Sequence, residues 1–439
     1  MTAANSQLFL QRDIKVFIAK KGQSKAYNIP TLEGMSFSQS VNNATITINE
    51  ASPDGTTQRR GSAAFAESLA PAEWSFSTYL RPTIEDNGGT FAAGDRDDGN
   101  THGSIEEILW AALASDLGTY TLPADGTNKA LSGWTFGTTN AVLDFDESNK
   151  IQLAKLDLIF ALSGMGDGTD DNNNVIYHLD EAVVNEVTIE FDIDGIAVCN
   201  WSGFAKKITE VNAGARPDGT TAGYFGNING NNVIDALPNA ETVTGQNAST
   251  SNFIQNRLST VELVESTANS NYLDSGYSLT LTGGSITISN NIDYVTPAMM
   301  QTVNVPLGHV AGSRTITGSL TCYADSTAGR SIDLYEDIQE ASTYDATNMF
   351  ELSLFIGGKT SQFLPKAPGA LFYMPTAHID VPVHNIEDVV SFEVNFTALA
   401  NNGTMAVDST TGVISETTAP TATNSLSSTN ELLIAFRGA

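Results

Sequence analysis

The chain has 439 residues, long enough for two or three domains, and carries 21 Lys+Arg against 50 Asp+Glu, a formal net charge of −29. That balance argues against direct binding to nucleic acid or to an anionic membrane surface, because such affinity comes from cationic side chains displacing phosphate counterions. Only 16% of the residues are charged, and Ser, Thr, Asn and Gly fill the gap, as in strand-rich extracellular or virion components.

From the N-terminus, Met1 to Phe17 shows no basic stretch followed by an apolar core, and no apolar run approaches membrane-spanning length. A product made in the cytoplasm without a cleaved export signal is expected. Phe9-Leu10-Gln11-Arg12-Asp13-Ile14 opens the first half, followed by Gly34-Met35-Ser36-Phe37-Ser38 and Thr45-Ile46-Thr47-Ile48. Trp74, Phe76, Thr78 and Leu80 then alternate with Ser75, Ser77 and Tyr79, the period of two that marks a half-buried strand, so Trp74, Phe76 and Leu80 are core candidates. A long excursion runs from Asp86 to Gly103 and contains Asp95, Asp97 and Asp98. Ile105 to Leu113 reads as a helix, with Ser104 as N-cap and acids in the first turn, where the helix dipole favours them. A second excursion, Ser163 to Asn174, contains Asp167, Asp170 and Asp171. Val187 to Ile193 alternates strongly and runs on to Asn200-Trp201-Ser202-Gly203-Phe204-Ala205. Glu190, Asp192 and Asp194 fall on one side of it and Phe191 and Ile193 on the other.

The same ordered set then returns. Asn212 to Asn252 is rich in Gly, Asn, Thr and Asp and reads as a linker or long surface loop. After it, Phe253-Ile254-Gln255-Asn256-Arg257-Leu258 repeats the opening segment, and Gly284 to Ile288 and Thr302 to Val305 repeat the next two. Ile316, Gly318, Leu320 and Cys322 alternate with threonines and Ser319, which makes Ile316 and Leu320 core candidates. Ser331 to Ser342 lines up with Ser104 to Ser115, so Ile332 to Glu340 reads as a second helix with Ser331 as N-cap, and Val390 to Phe396 closes the half as an alternating strand. Gly403 to Asn430 is Ser/Thr-rich, and Leu432-Leu433-Ile434-Ala435-Phe436 reads as a final strand in need of a partner. Two copies at a long period indicate duplication rather than a solenoid. The expected fold is mainly β: two antiparallel β-sandwich or barrel units, each with one flanking α-helix, at residues 1–211 and 253–402, joined by 212–252 and followed by a segment at 403–439.

Catalytic and metal-binding patterns are sparse. There is no Gly-x-Ser-x-Gly elbow, no phosphate loop ending in Lys-Ser/Thr and no His-Glu-x-x-His helix. The five histidines are scattered; His378 and His384 flank one short strand. The two cysteines, Cys199 and Cys322, form neither a disulfide framework nor a zinc set and are expected to be buried. Asp95-Arg96-Asp97-Asp98-Gly99-Asn100 clusters oxygen ligands but lacks the order and closing Glu of a calcium loop, and Asp167-Gly168-Thr169-Asp170-Asp171 is weaker. No cofactor, metal or enzyme activity is expected.

Thr47-Ile48-Asn49-Glu50-Ala51, Arg60-Gly61, Phe65 and the block Ala72-Glu73-Trp74-Ser75-Phe76-Ser77-Thr78-Tyr79-Leu80-Arg81-Pro82 resemble the tail tube (major tail) proteins of long-tailed siphovirus bacteriophages, whose flexible tails do not contract. Thr282 to Ile292, Tyr294, Thr296-Pro297, Val303, Val305-Pro306 and Gly318-Ser319-Leu320-Thr321 resemble the second tube domain of the subfamily built from trimers. The resemblance spans roughly residues 7 to 400. It implies a structural virion protein forming homotrimeric, pseudo-hexameric rings that stack into a tail tube, assembled in the host cytoplasm. The implied partners are the chain itself, tail terminator, tape-measure and baseplate or tail-tip proteins, with DNA passing through the lumen during genome ejection without specific binding. Three chains bring a formal −87 to a ring, three times −29. In that reading Glu190, Asp192 and Asp194 are candidate lumen residues, and the loops carrying Asp95, Asp97, Asp98, Asp167, Asp170 and Asp171 are candidate ring-stacking contacts. Related proteins carry an additional C-terminal immunoglobulin-like domain, for which the stretch up to Ala439 leaves no room, so a decorating role is not expected.

Two other classes compete. A different duplicated β-sandwich of a virion or cell surface, such as a fibre, sheath or adhesin component, would share the strand pattern. A secreted carbohydrate-active enzyme is favoured only by acidity, strand content and the exposed-looking Trp134 and Trp201.

Overall fold

The computed structural model describes residues 9–21, 26–46, 63–85, 101–114, 142–146, 153–164, 175–211, 253–265, 276–301, 304–343, 350–357, 368–386, 389–399, 405–407, 414–416 and 430–437. The first half contains β1 (Phe9–Lys20), β2 (Ala26–Ile29), β3 (Ser36–Ser38), β4 (Val41–Ile46), β5 (Ala63–Leu69), β6 (Ala72–Tyr79), β7 (Pro82–Glu85), β8 (Thr101–Ser104), α1 (Glu107–Ala114), β9 (Val142–Asp146), β10 (Leu156–Gly164), β11 (Val175–Asp192), β12 (Val198–Ala205) and β13 (Lys207–Val211). In β6 and β12 every second residue is buried, so the alternation read from the sequence becomes one face against the core and one face against solvent. Their antiparallel pairing places Trp201 opposite Phe76 and Gly203 opposite Trp74.

The second half adds β14 (Thr260–Glu265), β15 (Tyr277–Leu279), β16 (Leu281–Ser289), β17 (Asp293–Val295), β18 (Gly308–Val310), β19 (Thr315–Tyr323), α2 (Ser331–Thr343), β20 (Phe350–Gly357), β21 (Gly369–Ile379), β22 (Val383–Ile386), β23 (Val390–Ala398), β24 (Met405–Val407), β25 (Ile414–Glu416) and β26 (Asn430–Arg437). The duplication is topological as well as sequential. The first copy pairs its strands in the order β2–β1–β10–β11–β12–β6–β3. The second repeats it as β15–β14–β20–β21–β23–β19–β16. Even the irregularity recurs: the β10–β11 ladder shifts register between Leu156 and Leu158, and the β20–β21 ladder between Phe350 and Leu352.

These pairings correct the sequence alignment of the closing strands. Val187 to Asp192 lies in β11, whose counterpart is β21 with β22, whereas Val390 to Phe396 lies in β23, the counterpart of β12. Both had shown the same alternation, and alternation alone does not say which strand lies next to which. Likewise Phe9 to Ile14 lies within β1, while Asn256–Leu258 in the repeated segment forms a 3-10 turn ahead of β14.

β11 is long enough to serve two sheets. Its N-terminal half pairs with β10 and β13, and beyond a register shift at Val184/Glu186 its C-terminal half pairs with β12 and β16. The β11–β16 ladder, from Glu186↔Ser289 to Asp192↔Gly283, fuses the two copies into one sheet running β3–β6–β12–β11–β16–β19–β23–β22. A second seam closes outside it. The terminal strand β26 lies between β21 of the second copy and β9 of the first, which provides the partner its apolar sequence required.

The helices pack against the core face. α1 begins two residues later than the sequence predicts, at Glu107, and all eight of its residues are buried; Trp110 meets Trp201 edge-to-face at 4.8 Å. The C-terminal carbonyls of α1 are satisfied by the second copy. Asn290 Nδ2 donates to Leu113 O at 2.9 Å and Arg314 Nη2 to Ala114 O at 2.9 Å. α2 buries Leu334 and Ile338 and keeps Glu336, Gln339 and Glu340 exposed. Ser331 is its first residue, and its hydroxyl accepts from Asp325 N and donates to Tyr323 O.

Candidate channel face and assembly edges

The face of the fused sheet turned away from the core is mostly short polar side chains and acids, with Tyr79, Val198, Phe204 and Tyr323 at outward positions toward the strand ends. On β6 it presents Glu73, Ser75 and Ser77; on β12, Asn200 and Ser202; on β11, Glu186, Thr188, Glu190 and Asp192. It continues across the seam with Ser285 and Thr287 on β16, Thr317, Ser319 and Thr321 on β19, and Glu393, Asn395 and Thr397 on β23. The intervening residues, among them Trp74, Trp201, Ile189, Ile286, Leu320 and Val394, are buried. Cross-strand hydroxyl and amide contacts run along the face: Ser36–Ser75 at 2.8 Å, Ser77–Asn200 at 2.6 Å, Thr188–Thr287 at 3.1 Å and Ser285–Ser319 at 3.3 Å. Among the described residues of these strands, no lysine or arginine stands at the outward positions. Such a face offers a phosphate chain water-like hydroxyls and negative charge but no counterion.

The residues singled out from the sequence distribute as follows. Glu190 and Asp192 lie on this face and are exposed, whereas Asp194 lies past the end of β11, in the turn to β12, where it pairs with the Arg257 guanidinium. Trp74, Phe76, Leu80, Ile316 and Leu320 are buried on the opposite side. Asp95, Asp97, Asp98, Asp167, Asp170 and Asp171 lie outside the described residues, as does the 212–252 linker. Trp201, read from sequence as exposed, is 1% exposed, and its Nε1 donates to Thr78 Oγ1 at 3.0 Å; the support it lent to sugar binding is removed. Trp134 is not among the described residues. Cys199 and Cys322 are buried free thiols, and burial pushes the Cys322 thiol up to about 11. The acids Glu73, Glu186 and Glu393 were not singled out. Their strands alternate visibly, but that they share a face with Glu190 follows only from the pairing.

Other charged groups are structural ties. Asp157, His178 and Asp180 could together ligate a cation, yet Lys21 Nζ already bonds Asp180 and Asp157, the latter at 3.2 Å, and His178 Nε2 lies 2.9 Å from Asp157. The ammonium supplies the positive charge there. Glu181 lies between Lys155 at 2.6 Å and Lys206 at 3.3 Å. Burial pushes its carboxyl up, but the two lysines outweigh this and hold it below the usual range. Glu106 is the opposite case: burial pushes it up to about 7, and the Ser104 hydroxyl at 2.7 Å and the Arg81 charge offset that only in part.

The assembly surface has two further features. At the ends of the fused sheet, β3 pairs only with β6 and β22 only with β23 among the described residues, which leaves one edge of each open. The hairpins β4–β5 and β17–β18 also meet, through Leu69 N to Asn304 O at 2.8 Å and Asn304 N to Glu67 O at 3.2 Å. Around that meeting Phe65, Val295, Met299, Met300 and Leu307 are exposed. No helix among the described residues is long and apolar enough to cross a membrane.

In sequence the chain is similar to a bacteriophage tail tube protein. The particular relative is tail tube protein pb6 of Escherichia phage T5, to which the chain is 29% identical over 408 residues, covering 90% of this chain and 73% of that protein. No family model matches. Among solved structures, the chain resembles the sheath–tube complex of an extracellular contractile injection system, PVC, in its extended state, at 12% identity over 47% of this chain and 94% of that one, with a TM-score of 0.25. It also resembles the tail of an empty GTA particle, at 12% identity over 36% and 94% with a TM-score of 0.20. At such scores the structural likenesses carry no argument.

Proposed function

We propose that the chain is a structural, non-enzymatic tail tube protein of a phage virion, three copies of which form a pseudo-hexameric ring that stacks into a tube. The single observation that carries this reading is the fused sheet: two copies of one topology share a continuous cation-free polar face and leave an open edge at each end. Two units per chain let three chains stand in for six, which is the economy of a duplicated subunit in a cyclic assembly. The polar face lines the lumen, where Glu73, Glu186, Glu190, Asp192 and Glu393 repel the DNA backbone. Like charges in a narrow channel are poorly screened, so DNA slides rather than adsorbs. The exposed apolar residues of the two hairpins support ring-to-ring contact, since monomeric proteins rarely expose contiguous apolar patches of this kind. Partners in this reading are the chain itself, terminator, tape-measure and tail-tip or baseplate proteins, with DNA as passing cargo.

Mass measurement of an isolated ring tests the stoichiometry: three chains are expected, and six would overturn the trimer. Negative-stain images should show stacked rings or tubes; isolated rods or globules would indicate another duplicated β-sandwich of the virion or cell surface.

A further inference from the structure

The β17–β18 hairpin belongs to the second copy but rests on the first. Among the described residues its strands pair only with each other, from Asp293↔Val310 to Val295↔Gly308, so no ladder ties its base to the large sheet. What holds that base is small. The chain enters it through Ile292 N, which donates to Asn185 Oδ1 at 2.8 Å. Leu153, Val183 and Ile292 form an apolar cluster of their own, flanked by Phe204, Tyr294 and Ala311. Beside it two hairpin side chains reach first-copy backbone: Tyr294 Oη donates to Glu181 O at 2.6 Å, and His309 Nε2 accepts from Leu153 N at 3.2 Å. Their rings lie 6.0 Å apart.

The imidazole can serve in this way only while neutral. A backbone amide donates, so Nε2 must present its lone pair to Leu153, and the single ring proton sits on Nδ1. Nδ1 is buried and has no hydrogen-bond partner among the described residues. A second proton would have to enter at Nε2, where it would confront the Leu153 N–H. The charges around the ring divide. Lys155 opposes a cation there and Glu181 favours one, but Glu181 is already paired with Lys155 and Lys206. Burial, with Lys155 second, outweighs Glu181 and holds His309 below its ordinary 6.5. On the Tyr294 side stand Glu181 and Asp180; burial first, and then these acids, push its hydroxyl up, so it stays a donor throughout the neutral and mildly acidic range.

We infer that His309 is a proton-operated latch: its neutral imidazole docks the β17–β18 hairpin on the first copy, and its protonation releases it. The docked state binds fewer protons than the released one, so docking is complete above about pH 6.5 and weakens as pH falls below it. The hairpin carries exposed Val295, Met299, Met300 and Leu307 and meets β4–β5 through Asn304. Its release displaces apolar residues used in the ring-to-ring contact proposed above, and on that reading stacking weakens in mild acid.

Hydrogen exchange of the full chain at about pH 7.5 and about pH 5.5, corrected for the intrinsic rate, tests the latch. In the unaltered chain, exchange at Leu153 and across the hairpin should rise about five- to tenfold at the lower pH, as expected for loss of one hydrogen bond, while β6 stays protected. His309→Gln offers an uncharged acceptor near the Nε2 position and should abolish that rise. His309→Phe offers none, and exchange there should be fast at both pH values. An unaltered chain insensitive to pH, or a His309→Gln variant equally sensitive, overturns the latch. Nitrogen chemical shifts of the unaltered chain give a check that needs no variant: the neutral His309 ring should carry its proton on Nδ1, and a proton on Nε2 overturns the inference. Stacking followed in the same buffers separates the latch from the assembly reading. Stacking that falls with pH in the unaltered chain but not in His309→Gln supports both, whereas hairpin release with undiminished stacking keeps the latch and overturns the hairpins' part in ring contact.

Discussion

The same cross-strand pair is filled in opposite order in the two copies. In the first, Trp74 of β6 faces Gly203 of β12; in the second, Gly318 of β19 faces Phe396 of β23. In each case the glycine leaves room for the ring and for a neighbouring backbone carbonyl. A Cβ on Gly203 would lie 2.6 Å from the Trp74 indole and 2.1 Å from Val183 O, and one on Gly318 would lie 2.3 Å from the Phe396 ring. The space between sheet and core is thus held constant while the strand that supplies the aromatic changes, which is how close-packed interiors preserve total volume through substitution. The helices differ more. α1 is buried on all sides because the second copy and β26 cover it, whereas α2 keeps a polar face. The first copy is completed by the second.

The largest expected effect falls on the aromatic–glycine pair. Trp74→Ala should cost about 3–5 kcal/mol, read as loss of soluble protein or a collapse in melting temperature. Unchanged melting would mean that the indole is not core. Trp74→Gly combined with Gly203→Phe should not recover that loss, because a Cβ at 203 still meets the Val183 carbonyl oxygen at 2.1 Å once the indole is gone.

Next comes the clasp on α1. Arg314 is buried, donates to Ala114 O and Asn290 Oδ1, lies 3.5 Å from Glu431 and stacks over Phe145 at 5.1 Å. Arg314→Ala should cost about 3 kcal/mol because it takes the guanidinium away from a buried carboxylate and uncaps a helix end. Hydrogen exchange should then rise in α1 and β26 before it rises in α2; uniform loss of protection would show that the two copies do not differ in this way.

The helix starts differ in charge as well. Glu106 is buried ahead of α1, while its counterpart Asp333 on α2 is only partly buried and accepts from Gly329 N. Since burial raises Glu106 from 4.5 to about 7 in the folded chain, folding favours its protonated form. That contribution is complete below about pH 4.5 and is lost as pH rises through 7. Each tenfold change in proton affinity is worth about 1.36 kcal/mol, and the hydrogen bonding lost with the carboxylate offsets part of the gain. Glu106→Gln should therefore raise stability at pH 8 by about 2 kcal/mol and change little at pH 4. A pH-independent difference would contradict the burial. Smallest in stability is the polar face: Glu190→Lys with Asp192→Lys should shift stability by no more than about 0.5 kcal/mol. In the tube it should slow DNA ejection more at low salt than at high salt, and a salt-independent, unchanged rate would place these residues elsewhere.

Much of this was legible locally. The period of two announced β6 and β19 with their buried faces, and serine with first-turn acid announced the starts of both helices within two residues, while α2 runs three residues further than expected. These signals depend only on neighbours along the chain. The acidic polar face was legible on one strand alone, because Glu73, Glu186, Glu190 and Glu393 come to share a side through ladders between strands tens to hundreds of residues apart.

Composition and alternation by themselves determined that this is an acidic, duplicated, strand-built protein without recognisable catalytic chemistry, since net charge, period and repeat are properties of the chain. Tertiary structure decided which strands face each other, that β11 serves two sheets, that β26 ties the second copy to the first, and that β3 and β22 end the fused sheet among the described residues. Those outcomes depend on non-local hydrogen-bond register and on volume matching such as Trp74 against Gly203. Both are settled only when distant segments compete for the same neighbour.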